Sequence, residues 1–159
     1  DHTFCYYNGY VDQTSSHASQ LAKSVCFFSP IQFLFWYDRP AMAKDEPELE
    51  FWKHLPTTWD ETKVLHSKIG AYGVVARRKS RDWFIGCLNA VEPRTLDVAL
   101  DFLPEGQHFV AYIYRDNTSV PTSTKVGIER RHVSPKTVLQ VSMGKQGGVA
   151  IRIVPHRAD

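Results

Sequence analysis

At 159 residues the chain is long enough for one domain of ordinary size, or for one domain with a fragment of another. Its hydrophobic content of 43% and charged content of 23% fall in the range of soluble globular proteins. A net charge of +2, from 19 basic and 17 acidic residues, excludes a dedicated nucleic-acid binder, which carries a basic patch or stripe.

Asp1 to Asp12 opens polar, runs through aromatics and reaches an Asn8-Gly9 turn signal. Thr14, Ser15 and Ser16 are N-cap candidates for a helix predicted over His17 to Phe28, with Ala18, Leu21, Ala22, Val25 and Phe28 on one stripe. Ser29-Pro30 breaks that helix, because the residue before proline avoids the helical region. The apolar run from Val25 to Tyr37 is shorter than the roughly 20 residues that span a bilayer. It reads as a buried packing element rather than a membrane span. Asp45 and Glu48 form a predicted capping box, Pro47 sits in the first turn, and a short helix Glu48 to His54 buries Leu49 and Trp52.

From Pro56 the hydrophobic period becomes two. Strands are predicted near Thr58–Leu65, Tyr72–Arg78, Trp83–Asn89, Thr95–Leu100, His108–Arg115, Thr124–His132, Val138–Met143 and Val149–Val154, with turn residues between them. That pattern indicates an antiparallel β-sandwich. The strand from His108 is apolar on both faces and is expected to be central. The basic cluster Arg77-Arg78-Lys79 with Arg81 reads as a solvated hairpin turn. The helices of the first 55 residues carry many aromatics and little partner surface, so they are expected to pack against something larger.

Cys5, Cys26 and Cys87 include no C-x-x-C pair and read as free thiols, mostly buried. None of the seven histidines forms a metal-ligand pair. Asp60 and Glu61 are adjacent on a strand and point to opposite faces, so they do not share one substrate. Asp45, Glu46, Glu48 and Glu50 suit a helix start and its macrodipole. Gly144 to Gly148 lacks phosphate-loop spacing and reads as a hairpin loop. Trp36, Trp52, Trp59 and Trp83 are candidates for stacking on sugar rings, with core packing as the commoner role. No residue qualifies as catalytic, and none as a metal ligand.

The segment Pro56-Thr-Thr-Trp-Asp-Glu-Thr-Lys-Val-Leu, with Lys68-Ile-Gly-Ala-Tyr, Val75-Ala-Arg-Arg and Asp82-Trp-Phe-Ile-Gly, resembles the C-terminal region of glycoside hydrolase family 97. The likeness extends to nearly the whole chain. His17-Ala-Ser-Gln-Leu-Ala-Lys and Ser29-Pro-Ile-Gln look like the last barrel helix of those α-glucosidases and α-galactosidases. Arg94-Thr-Leu, Leu100-Asp-Phe-Leu and Gly147-Gly-Val-Ala-Ile look like its sandwich strands.

The resemblance implies a mainly β chain: an antiparallel sandwich over residues 56–159, preceded over residues 1–55 by helices resembling the end of a (β/α)8 barrel. The family's catalytic and calcium-binding glutamates lie upstream of the matched region. The chain is therefore expected to brace an upstream catalytic barrel and to be inactive alone. In the intact enzyme the resemblance implies calcium, an α-linked oligosaccharide substrate, and a periplasmic or extracellular location. Asp1-His-Thr resembles an Asp-Tyr-Thr at the end of the eighth barrel strand, which puts Asp1 forward as a substrate-pocket rim residue. A stand-alone carbohydrate-binding or interaction module is the alternative, and it requires an exposed aromatic platform.

Overall fold

The computed structural model describes residues 1–156 apart from Trp36 and Asp45. Strand β1 (His2–Phe4) is followed by helix α1 (Tyr10–Thr14), helix α2 (His17–Cys26) and strand β2 (Gln32–Leu34). Single 3-10 turns at Pro40–Met42 and Pro47–Leu49 precede helix α3 (Glu50–His54). Eight strands complete the chain: β3 (Glu61–Lys68), β4 (Tyr72–Lys79), β5 (Asp82–Asn89), β6 (Arg94–Ala99), β7 (Phe109–Asp116), β8 (Val126–Val133), β9 (Val138–Met143) and β10 (Gly148–Pro155).

All eight expected strands form, and they pair antiparallel in two sheets. The larger has the order β3-β4-β5-β10-β7-β8, and β6 with β9 forms the second. Inward residues of both sheets, among them Val74, Ile85, Val98, Leu139 and Ile151, make the core between them. The strand from Phe109 is interior as expected, flanked by β10 and β8, but β5 and β10 hold the middle of the sheet.

A third layer covers the other face of the large sheet. Phe84, Tyr114 and Ala150 from that face pack with Phe4, Tyr6, Leu21, Val25 and Phe51 in a second core. Helix α2 presses closest, because two glycines lie beneath it. A Cβ on Gly86 would come within 2.5 Å of the Ala22 carbonyl oxygen and 2.7 Å of Cys26 Sγ. A Cβ on Gly148 would come within 2.7 Å of Ser19 Cα. At both positions the sheet admits the helix only because no side chain intervenes. Of the three cap candidates, Ser16 is the one used. Its hydroxyl accepts from the Ser19 amide at 3.1 Å while Ser19 Oγ accepts from the Ser16 amide at 3.3 Å.

Several expectations need correction. Helix α2 stops at Cys26, and Ser29-Pro-Ile-Gln leads into β2, which pairs parallel with β1 in the register His2↔Gln32, Thr3↔Phe33, Phe4↔Leu34. The proline ends the helix early enough for the chain to turn and run alongside β1. Phe28 therefore leaves the helical stripe and is 62% exposed. Most described apolar residues of the run to Tyr37 are not buried in this chain: Phe27, Ile31, Phe33, Leu34 and Tyr37 are exposed, while Val25 is buried and Phe35 is partly buried against the second core. A two-stranded parallel sheet with one face uncovered departs from the rule that parallel sheets are covered on both faces.

The expected capping box falls on Asp45, outside the described residues. The helix start itself differs: Glu48 belongs to the 3-10 turn, α3 begins at Glu50, and its buried residues are Phe51 and Trp52, with Leu49 only half-buried. Arg77 is not part of a solvated turn. It lies under the last turn of α2, where one guanidinium nitrogen donates to the Cys26 carbonyl at 3.3 Å and the group lies over Phe28 and Trp59. A cation at a helix C-terminus complements the macrodipole. Burial lowers the Arg77 pKa from its ordinary value. None of the three cysteines forms a disulfide among the described residues, and only Cys87 is fully buried.

Candidate functional site at the ends of the parallel strands

Barrel-type parallel strands present their functional groups beyond their C-terminal ends. Beyond β1 this places Cys5 to Asn8, and beyond β2 it places Phe35 to Asp38. Phe35 and Tyr37 both adopt positive φ, 61° and 67°. For bulky residues that conformation is strained and persists only where surrounding contacts enforce it. Here it turns the chain so that Asp38 reaches back to the first segment. The Asp38 carboxylate accepts from three successive amides, Tyr6 at 2.8 Å, Tyr7 at 3.0 Å and Asn8 at 3.0 Å, and from the Asn8 side-chain amide at 3.2 Å. One carboxylate thus fixes the loop after β1.

The two tyrosines that follow carry the fixation outward. Tyr6, fully buried, donates its hydroxyl to Glu48 Oε1 at 2.8 Å. Its ring meets Trp52 at 4.9 Å and His17 at 4.9 Å, both edge-on. Tyr7 lies 3.0 Å from Glu46 Oε2 and 3.1 Å from the Lys44 carbonyl, so its single hydroxyl proton serves one of them at a time. Glu46 Oε1 in turn accepts from Ser123 Oγ at 3.0 Å, in the loop between β7 and β8. The chain of bonds therefore runs from the strand pair into the sandwich.

Burial, reinforced by the Glu48 charge and hydrogen bond, pushes the Tyr6 hydroxyl far above its ordinary pKa. Tyr7 is pushed up to about 12, chiefly by burial, against the lowering effect of the Lys44 carbonyl contact. Both are neutral donors at any working pH. Glu46 and Glu48 are 5% and 0% exposed and lie out of a substrate's reach. Glycoside hydrolysis needs two carboxyl groups flanking an accessible bond. This arrangement positions backbone and does not itself perform that chemistry. Of the acids expected at a helix start, Glu46 and Glu48 are acceptors in a buried cluster, Glu50 lies exposed in the first turn of α3, and Asp45 is outside the described residues.

The other sequence candidates lie elsewhere. Asp1 stands exposed ahead of β1, about 10 Å of extended strand from its C-terminal end at the usual rise per residue. Asp60 and Glu61 both engage Arg78, and Asp60 also caps the Ser80 amide at 2.7 Å. The Ser80 amide and the Lys79 hydrogen bond hold the Asp60 carboxyl below its ordinary range, and hydrogen bonds from Lys63 and Arg78 do the same for Glu61. Trp52 and Trp83 are 8% and 3% exposed, and Trp59 is half-buried against Phe84 and Arg77. Trp36 is outside the described residues. Calcium takes six to eight oxygen ligands. Among the described residues no group of three or more His, Cys, Asp or Glu side chains is placed to hold a metal. The chain's described residues do not fit a calcium site. No described helix is long and apolar enough to cross a membrane.

Tyr6, Tyr7, Asp38, Glu46 and Glu48 were not singled out as a set by sequence reasoning. Their meeting depends on the parallel pairing of β1 and β2, which three-residue strands do not announce. The available signal was an acid, Asp38, directly after an aromatic run and before Arg39-Pro40.

Residues 58–154 match the family model described as "Glycosyl-hydrolase 97 C-terminal, oligomerisation". The chain belongs to that family. The family 97 chain is 32% identical over 152 residues to a retaining alpha-galactosidase of Bacteroides thetaiotaomicron, covering 93% of this chain and 22% of that protein. Among solved structures it resembles a glycoside hydrolase family 97 enzyme from Pseudoalteromonas sp. in complex with acarbose. That likeness has a TM-score of 0.80 and 30% identity over 91% of this chain and 23% of the other. It also resembles a beta-arabinopyranosidase, with a TM-score of 0.71 and 27% identity over 87% of this chain and 21% of the other. The family 97 chain thus spans about a fifth of the length of each relative. It corresponds to their C-terminal portion, as the family description states.

Proposed function

We propose that the chain is the brace of a family 97 α-glycosidase. In this reading residues 1–55 are the end of the catalytic barrel and residues 56–159 the C-terminal sandwich. The observation that carries the reading is the seating of α2. Its Ala22 and Ser19 lie directly on Gly86 and Gly148 of the sandwich, while the strands on either side of it form a parallel pair with open outer edges. A barrel supplies the neighbouring strands that such a pair needs. The Asp38 and tyrosine–glutamate bonds then lie on the face where barrel sites are built, and they hold two loops of that face in place.

Substrate chemistry belongs to the remainder of the enzyme. The acarbose complex, the alpha-galactosidase and the beta-arabinopyranosidase act on or bind different sugars yet share this portion, which supports a scaffold role over a sugar-selecting one. The α-linked oligosaccharide, the paired carboxylates and any calcium are accordingly placed in the barrel outside these residues. Asp1, set back from the C-terminal end of β1, is proposed to approach the pocket rim only indirectly, through the strand it begins. The alternative of a carbohydrate-binding module loses support from the burial of Trp52 and Trp83.

The test is turnover by the 159-residue chain with p-nitrophenyl α-galactoside and α-glucoside. The expected rate is that of the buffer blank. Saturable turnover abolished by substitution of an acidic residue in this chain would sink the brace reading.

A further inference from the structure

The face of the large sheet that turns away from β6 and β9 gathers His108, His132 and His156 at one end. Val110 of β7 stands opposite His132 of β8 on one side and Val154 of β10 on the other. Directly opposed residues of an antiparallel pair share a face. Ala111 and Ile113 point into the core between the sheets, so Val110, His132 and Val154 point the other way. The pairing continues one step past β10, where the His156 amide donates to the His108 carbonyl at 2.8 Å. His108 and His156 therefore share that outer face, two residues along from Val110 and Val154.

Strand β7 lies between β8 and β10, so His132 and His156 start two strand spacings apart, about 10 Å across the sheet. Their rings nonetheless meet, with centroids 4.9 Å apart and planes at 68°. Both side chains thus lean toward each other over β7. Val110 beneath them is 3% exposed although it belongs to neither apolar core. Covering one valine asks for bulk, not for two imidazoles. The separation is also the one that two imidazoles adopt on a shared metal ion. With nitrogen–metal bonds of about 2.0–2.1 Å, and angles between square-planar and tetrahedral, the ring centroids lie about 4.5–5.2 Å apart. Both residues are exposed, so an ion and its waters can reach them. Arg130 stands two residues before His132 on the same face, but it too is exposed, and solvent and salt screen its repulsion of a cation. Spacing along the chain gave no sign of the pair, because its members belong to different strands.

We propose that His132 and His156 together bind one divalent transition-metal ion of the zinc and copper class. Imidazole nitrogen suits these ions, whereas calcium selects oxygen. Water completes the shell, since among the described residues no group of three or more such side chains is placed to hold a metal. The bound ion ties edge strand β8 to the end of β10 across β7. The site is independent of the brace reading.

The experiment is a zinc titration of the whole chain, free of any histidine tag, followed by NMR of the histidine rings. His132 and His156 should shift along one shared, saturating curve. His66, whose ring bonds the Asp97 carbonyl instead, is the internal reference and should not follow that curve. Zinc should raise the melting temperature, because it binds the folded chain and not the unfolded one, and calcium should not. His132→Ala should weaken zinc at His156 by more than about tenfold, since even the loss of an outer-shell partner of a metal ligand costs about 10–100-fold. His108→Ala should leave the His132 and His156 curve unchanged. Rings of His132 and His156 that do not respond, or that respond only in parallel with His66, overturn the site. So does a His132→Ala variant in which His156 takes up zinc as before. Should His132→Ala fail to fold, His156→Ala gives the same reading at His132.

Discussion

Gly86→Val lowers the unfolding free energy by about 3 kcal/mol, the upper end of the usual cost of overpacking. For a domain of this size that is a fall in melting temperature of roughly 6–12 °C. The cause is local. Even the first carbon of a side chain there would stand 2.5 Å from the Ala22 carbonyl oxygen and 2.7 Å from Cys26 Sγ. The carbonyl belongs to the helix backbone and cannot rotate away, so α2 must lift from the sheet. Lifting it also opens the second core, in which Leu21, Val25, Phe84 and Ala150 are fully or almost fully buried. Gly144→Ala is the matched control. Its Cβ meets nothing within 4 Å, and its stability should change by less than about 0.5 kcal/mol. Urea unfolding of both variants checks the pair. A Gly86→Val protein as stable as the Gly144→Ala control would mean that the helix is not seated as described.

Tyr6→Phe costs about 3 kcal/mol at neutral pH, because it leaves a buried carboxylate without its hydroxyl donor. Glu48 is fully buried, and its other oxygen has no hydrogen-bond partner. Replacing both members with apolar groups of similar shape should recover most of the loss, so Tyr6→Phe with Glu48→Leu is expected to be less damaging than Tyr6→Phe alone. The same tyrosine sets an alkaline limit. Its folded pKa is raised above the ordinary value of 10.0, so the native state holds the proton more tightly than the unfolded chain. The stabilisation is complete below pH ~10 and is lost progressively as pH rises above it. Tyr7 and Tyr114, each pushed up to about 12, add to the same decline. Tyr6→Phe should therefore flatten the fall in stability above pH ~10 without abolishing it. Unfolding curves between pH 8 and 11.5, values chosen to bracket about 10, provide the check. A slope unchanged by the substitution would mean that Tyr6 does not contribute to the alkaline loss of stability.

How legible all this was depended on periodicity. Strands β3 to β10 were readable because each is six to eight residues long, alternates or runs apolar, and is bounded by turn residues. The first 55 residues were harder. β1 and β2 are three residues each, too short for any period to register, and their pairing is parallel and non-local. The aromatic run from Phe27 to Tyr37 carried the right composition for burial, but hydrophobicity alone does not say whether the partner surface lies within the same residues. The cluster around Asp38 was hidden for a different reason. Asp38, Glu46 and Glu48 act through backbone amides and tyrosine hydroxyls, which have no motif. Arg77 was misread because its neighbours Arg78 and Lys79 are surface ion-pair residues, and alternation along a strand sends every second side chain to the other face. The family resemblance is borne out over residues 58–154, where the family model matches.

Helix α2 and the sandwich are expected to form one cooperative body, so that whatever the parallel strand pair joins is held rigidly against the C-terminal sheet. Native-state hydrogen exchange across a denaturant series tests it most directly, by following amides of α2 together with those of β5 and β10. All three are expected to lose protection in one transition, with the same dependence on denaturant. Exchange of α2 at lower denaturant, while β5 and β10 stay protected, would contradict it and would make the helix a loosely attached appendage.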